Sequence, residues 1–282
     1  MLTVAAKTAG ADAWGYLFGK PSGPGPVLAI YRRSLLWLAA PDRPLTLAAD
    51  SGVRGPLTVE VAAPADWLHV VAPGMEVQAD GNSLRVGPSL TVDLSQMILH
   101  DPPLASLTFQ QATALAHALA GALPTGEGLA GWAEAALPHK VSLETGLRQS
   151  LADVAAAGVK GLVGLGPGLT PSGDDFLAGV LAALQSLGPA CAADAALLSA
   201  SLAAELGRTT LVARRMLFWA MQGRYGESVR SVFEAASRSE SSLAAPIAGL
   251  LATGATSGAD TAAGIRFGLS LELERVLRVP GT

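Results

Sequence analysis

Two aspartates stand at matching places in a nine-residue pattern that occurs twice, Ser-Gly-x-Asp-x-x-Ala-Gly-(Val/Ile). The copies are Ser172-Gly173-Asp174-Asp175-Phe176-Leu177-Ala178-Gly179-Val180 and Ser257-Gly258-Ala259-Asp260-Thr261-Ala262-Ala263-Gly264-Ile265. Each begins where a loop rich in small and polar residues gives way to an apolar helical stretch. Asp175 and Asp260 lie three and four residues before an Ala-Gly pair, so carboxylate and small residues share one helix face. Small residues let two backbones come close. The spacing predicts two helix starts meeting, with one Asp from each beside a shared cleft, and makes Asp175 and Asp260 the candidate catalytic pair. Two carboxylates about 4 Å apart repel by about 4 kcal/mol at an effective dielectric of 20. Their convergence therefore calls for a proton, a cation or several hydrogen-bond donors.

The loops supply such donors. Gly161 to Asp175 contains five glycines and two prolines. Thr170-Pro171 reads as a hydroxyl N-cap followed by proline at the first helical position. A helix N-terminus carries about half a positive charge and attracts anions. The backbone of Gly166, Gly168, Gly173 and Gly258 and the hydroxyls of Thr170, Ser172, Thr256 and Ser257 thus form a candidate cradle for phosphate or carboxylate. Asp174, about 100° round the helix from Asp175, joins this candidate substrate-binding set. So does Arg208, which precedes Thr209-Thr210 at a predicted helix start. No Lys follows the glycines and no βαβ unit surrounds them, which excludes a Walker loop and a dinucleotide fingerprint. A purely structural reading, a tight turn with acidic residues complementing the helix dipole for about 0.3–1 kcal/mol each, leaves the recurrence of the Asp unexplained.

No metal is required by this pattern, although Mg²⁺ or Mn²⁺ between Asp175 and Asp260 is chemically reasonable. His69, His100, His117 and His139 are scattered without ligand spacing, against a zinc site. No Ser or Cys sits in a nucleophile-elbow setting.

The elements that must position these residues fall into two classes. Up to about residue 104 the chain reads as short strands: Leu2–Thr8, Val27–Arg32, Leu35–Ala40, Leu45–Ala49, Leu57–Ala63, Trp67–Val71, Met75–Ala79, Ser83–Val86 and Leu90–Leu94. Asp80-Gly81-Asn82 marks a hairpin. This predicts a barrel or sandwich over residues 1–104. Residues 105–282 take a helical period, with helices over Leu107–Ala120, Leu129–Leu137, Ser142–Ala157, Asp174–Leu187, Ala193–Leu206, Thr210–Gln222, Glu227–Ala236, Leu243–Thr253 and Ala259–Leu277. Gly121, Gly188, Gly223 and Gly254 are predicted stops. The fold class expected is α+β, an all-β domain followed by an all-α domain carrying the repeat.

Composition narrows the setting. Half the residues are hydrophobic, 15% are charged and mean hydropathy is +0.39. Polar or helix-breaking residues interrupt each apolar run, so no membrane span is expected. A net charge of -4 provides no footprint for nucleic acid. A single cysteine, Cys191, and an N-terminus unlike a signal peptide point to a cytoplasmic protein.

The string Gly164-Leu165-Gly166-Pro167-Gly168-Leu169-Thr170-Pro171-Ser172-Gly173-Asp174-Asp175-Phe176-Leu177-Ala178-Gly179 resembles the signature of the family of the H subunit of oxamate carbamoyltransferase. The stretch Thr256–Ile265 resembles that family's second motif. The resemblance implies a subunit of a multi-component, oligomeric enzyme of purine (allantoin) catabolism. That enzyme transfers a carbamoyl group between oxalurate and phosphate, giving oxamate and carbamoyl phosphate. Phosphate and a small carboxylate would suit the helix starts, and amide N–H groups would suit Asp175 and Asp260. No Lys or His base is evident beside the motifs, in keeping with chemistry completed by a partner subunit. One rival reading is a Mg/Mn-dependent hydrolase resembling the ADP-ribosyl glycohydrolases, which lacks its further acidic ligands here. Another is a non-catalytic interaction subunit.

Overall fold

The structure is a computed structural model. It describes the chain except residues 20–22, 50, 65, 125–127 and 279–282, together with the side chains of 51 and 275–278. The chain divides into two compact units, Met1–Pro102 and Pro103–Thr282.

The first unit is a closed eight-stranded barrel. Its strands are β1 (Leu2–Ala9), β2 (Gly25–Ile30), β3 (Ser34–Ala40), β4 (Arg43–Ala48), β5 (Thr58–Ala62), β6 (Glu76–Asp80), β7 (Ser83–Val86) and β8 (Leu90–Asp93), with a short β9 (Ile98–Leu99) added beside β1. The order β5-β4-β3-β2-β6-β7-β8-β1 closes because β1 also pairs with β5. β1 does both jobs by length. Residues 2–5 run parallel to β8, while residues 5–9 run antiparallel to β5 after a register shift between Ala6 and Thr8. Closure leaves no long unpaired edge. Alternate residues fill the interior, including Val4, Leu35, Trp37, Leu45, Val59, Leu84 and Val92, as a barrel this narrow requires. Gly81, with φ +57°, turns the β6–β7 hairpin.

Besides the short β9, which the sequence did not announce, two elements depart from the sequence reading. Trp67–Val71, expected as a strand, forms a 3₁₀ turn at Trp67–Val70. Consecutive Trp67 and Leu68 are both buried in the barrel core, which an alternating strand cannot arrange. An unforeseen helix, α1 (Ala11–Leu17), follows β1. It is fixed from outside: Pro56 O accepts from the N–H groups of Asp12 and Ala13, and Arg43 pairs with buried Asp12 at 3.4 Å.

The second unit is helical: α2 (Phe109–Ala122), α3 (Ala133–Arg148), α4 (Ala152–Leu162), α5 (Ser172–Ser186), α6 (Ala192–Glu205), α7 (Leu211–Met221), α8 (Glu227–Arg238), α9 (Ala244–Leu251) and α10 (Ser257–Arg278). The all-β-then-all-α expectation is therefore borne out. The predicted helices Leu129–Leu137 and Ser142–Ala157 are divided differently. α3 runs through Pro138, its sixth residue, and ends before Ser150 at φ +54°. Gly121 stops nothing and lies within α2. The run Gly188–Arg208 is long and apolar enough to cross a membrane by length and composition alone. Its central helix α6 packs against α4 and α5, burying Leu198 and Leu202.

α5 is the axis of this unit. Every residue from Ser172 to Leu184 is buried, which explains the unbroken apolar and small-residue composition from Phe176 onward. Its most extensive partner is α10.

Candidate functional site

The two motif copies build two helix–loop–helix corners, α4 into α5 and α9 into α10. In each corner a motif glycine faces the end of the preceding helix. A Cβ on Gly173 would lie 2.0 Å from Leu162 O, and one on Gly258 1.8 Å from Leu250 O. The corners then meet each other. A Cβ on Gly179 would lie 2.1 Å from Thr261 O, and one on Gly264 2.0 Å from Phe176 O. Gly179 corresponds to Gly264, and Phe176 to Thr261, in the repeat. The contact is thus reciprocal, as in a local two-fold axis.

The polar groups follow the same exchange. Ser172, from the first corner, stands by the Asp260 carboxyl and favours its charged form, while Ser257, from the second, does the same for Asp175. Thr170 acts likewise on Asp175, and Thr256 on Asp260. Thr170 Oγ1 and Ser257 Oγ are 2.8 Å apart, joining the corners directly. Leu129 N–H donates to Asp260 Oδ1 at 2.5 Å. Asp175 and Asp260 are 3% and 2% exposed, and Oδ2 of each is buried without a hydrogen-bond partner. Burial, partly countered by Ser257 and Thr170 and reinforced by the Asp260 charge, raises the Asp175 carboxyl well above the ordinary value. Burial raises Asp260 as well, against the donors Leu129, Ser172 and Thr256. The site therefore holds two carboxyl groups at the starts of two helices, each with an oxygen left for a further donor or proton.

Other members of the sequence-derived set have structural partners. Thr170 is not the N-cap, because α5 begins after Pro171; its hydroxyl reaches across to the second corner instead. Gly173 N–H donates to Leu165 O and Gly258 N–H to Thr253 O, so neither is free to cradle an anion. Asp174 is fully buried and clamps the loop: Gly164 N–H donates to Oδ1 at 3.1 Å, and Thr209 Oγ1 donates to Oδ2. Burial raises this carboxyl too. Thr210 Oγ1 donates to Leu169 O and accepts from Ala213 N–H. The Thr209-Thr210 hydroxyls thus fasten the glycine loop rather than await a ligand. Gly166 and Gly168 take φ of +107° and +97° in that loop. Arg208 is exposed and its guanidinium pairs with Glu205 at 3.2 Å.

Sequence reasoning missed a flank of the site. Asp260 opens onto a cavity of about 560 Å³ between α3 and α10, lined also by Leu129, Ala136, Lys140, Ala263 and Arg266. Gly128, at φ +58°, holds Leu129 against Asp260; a Cβ there would lie 2.2 Å from Asp260 Oδ1. The expectation that no Lys stands near the motifs is corrected, since Lys140 Nζ lies 5.2 Å from the Phe176 ring centre. Arg266 could have been suspected from its place immediately after the second motif. Lys140 carries no motif. Among the described residues no group of three or more His, Cys, Asp or Glu is placed to hold a metal.

Both corners lie inside one recognisable segment. Residues 162–269 match the protein family described as oxamate carbamoyltransferase subunit AllH. The match bears out the resemblance carried by Gly164–Gly179 and Thr256–Ile265. Neither a curated protein nor a solved structure matches the chain. The AllH-like segment runs from the last residue of α4 well into α10, so it contains every polar group that joins the corners. Lys140, Gly128 and Leu129 lie outside it.

Proposed function

We propose that the protein is a subunit of a carbamoyltransferase, in which the paired corners bind a small substrate bearing amide and carboxylate groups. The observation that carries this reading is the exchange of Ser172 and Ser257 across the Asp175–Asp260 pair, within the AllH-like segment, with one oxygen of each carboxyl unpartnered. In the reaction, a phosphate oxygen attacks the carbamoyl carbon of oxalurate and the bond from that carbon to the oxamyl nitrogen breaks. Oxamate leaves after that nitrogen gains a proton, and carbamoyl phosphate is the other product. A carboxyl whose burial makes it keep its proton is suited to supplying one. Its neighbour, as carboxylate, accepts from the substrate amide. The subunit works with partner subunits that complete the enzyme, in a cytoplasmic setting and without nucleic acid or membrane.

The test is carbamoyl phosphate formation from oxalurate and phosphate by the enzyme reconstituted with its partner subunits. Asp175→Asn and Asp260→Asn are each expected to lower kcat by about 10²–10⁴ with assembly intact by size-exclusion chromatography. Full activity in both variants would refute the catalytic reading and leave an interaction subunit.

A further inference from the structure

We propose that the groove between α3 and α10 is the subsite for the anionic end of the substrate. Lys140 and Arg266 grip a carboxylate or phosphate there, while Asp260 Oδ2 accepts from an N–H or O–H at the ligand's other end. This rests on reading the paired corners as a substrate site.

Lys140 and Arg266 line the 560 Å³ cavity beside Asp260 and also the adjoining 280 Å³ cavity along the same helices. The groove is of small-molecule size. Its two cations, Lys140 and Arg266, are not engaged in ion pairs among the described residues. Arg148 is neutralised by Glu144 at 2.9 Å and Glu274 at 2.8 Å. Lys140 and Arg266 line the same groove, with no carboxylate within ion-pair distance of either among the described residues. Glu134 also lines the groove, and Glu144 attracts Lys140 from beyond that distance. The Lys140 ammonium lies against the rings of Phe176 and Phe267, 5.2 and 6.0 Å from their centres. Half-burial, then the Arg266 charge, lowers its pKa. Aromatic faces offset part of this cost; a bound anion between the two cations removes the rest. Arg266 stands six helical steps beyond Asp260, a rise of about 9 Å. That span suits a compact ligand with a charged head and a hydrogen-bond donor at its other end.

Titration calorimetry on the full chain, with oxamate and with inorganic phosphate, tests the assignment. Binding of at least one is expected. Lys140→Met, which keeps the stem over the rings, and Arg266→Met should each weaken it at least about tenfold; Arg238→Gln, at an exposed site, should not. Asp260→Asn should weaken the binding of oxamate, which donates through its amide N–H. No binding by the unsubstituted chain, or binding indifferent to Lys140→Met and Arg266→Met, overturns the subsite. If both anions bind through Lys140 and Arg266 but the reconstituted enzyme transfers no carbamoyl group, the subsite stands and the proposed function fails. If transfer needs Asp175 and Asp260 but ignores both Met variants, the function stands and the subsite fails.

Discussion

Replacing Gly264 by Ala probes the meeting of the two corners. Its new Cβ would lie 2.0 Å from Phe176 O, 2.8 Å from Phe176 C and 3.1 Å from Gly179 Cα. All three are backbone atoms of α5, so no side chain can swing aside. The oxygen is about 1 Å nearer than real Cβ atoms approach such a neighbour. The helices must part, and overpacking of this kind costs about 1–3 kcal/mol or more. Helix propensity acts the other way, favouring Ala by about 1 kcal/mol. A backbone clash on the buried face of α5 should win, leaving a net loss of about 2 kcal/mol. For a unit spanning Pro103–Thr282 each kcal/mol moves Tm by about 2–4 °C, so a drop of about 4–8 °C is expected in thermal denaturation. Gly121→Ala is the internal control, because a Cβ there meets nothing within 4 Å and only the propensity gain remains. Gly179→Ala should resemble Gly264→Ala, and the double variant should lose less than the sum, since helices already parted by one methyl admit the second. A Gly264→Ala protein as stable as Gly121→Ala would refute the close crossing, and with it the convergence of Asp175 and Asp260.

Two further outcomes follow from burial of the carboxyl groups. The folded chain holds the Asp175 proton more tightly than the unfolded chain, whose value is about 3.8. Stability therefore falls as pH rises from there through the raised folded value, and the penalty persists above it. Asp175→Asn removes that penalty. It should raise Tm near neutral pH, because every tenfold by which folding weakens this acid costs about 1.4 kcal/mol there. The gain should shrink on acidification; a gain that grew in acid would contradict this. Asp174→Ala leaves Gly164 N–H and Thr209 Oγ1 without their acceptor. Limited proteolysis should then cut the loop between α4 and α5 faster than in the unsubstituted chain, and an unchanged rate would show that Asp174 does not clamp it.

The repeat itself made the pairing of helix starts legible. A small residue four positions after an Asp specifies a face where backbones can touch, and two copies specify two such faces. Alternation with short turns likewise declared a β-rich first part, and helical spacing an α-rich second. Local sequence, however, does not say where a side chain's partner comes from. Thr170 reads as a cap for its own helix, yet its hydroxyl meets Ser257 across the interface. Asp174 and Asp175 are neighbours with equal chemistry; only the path of the glycine loop over Thr209 makes one a clamp and leaves the other an open oxygen. Closure of the barrel depends on β1 changing partners midway, a choice no residue pattern in β1 announces. Lys140 becomes part of the site because α3 lies beside α10. That adjacency is set by the packing of the whole helical unit, a sum of contacts distant in sequence, and not by any spacing along the chain.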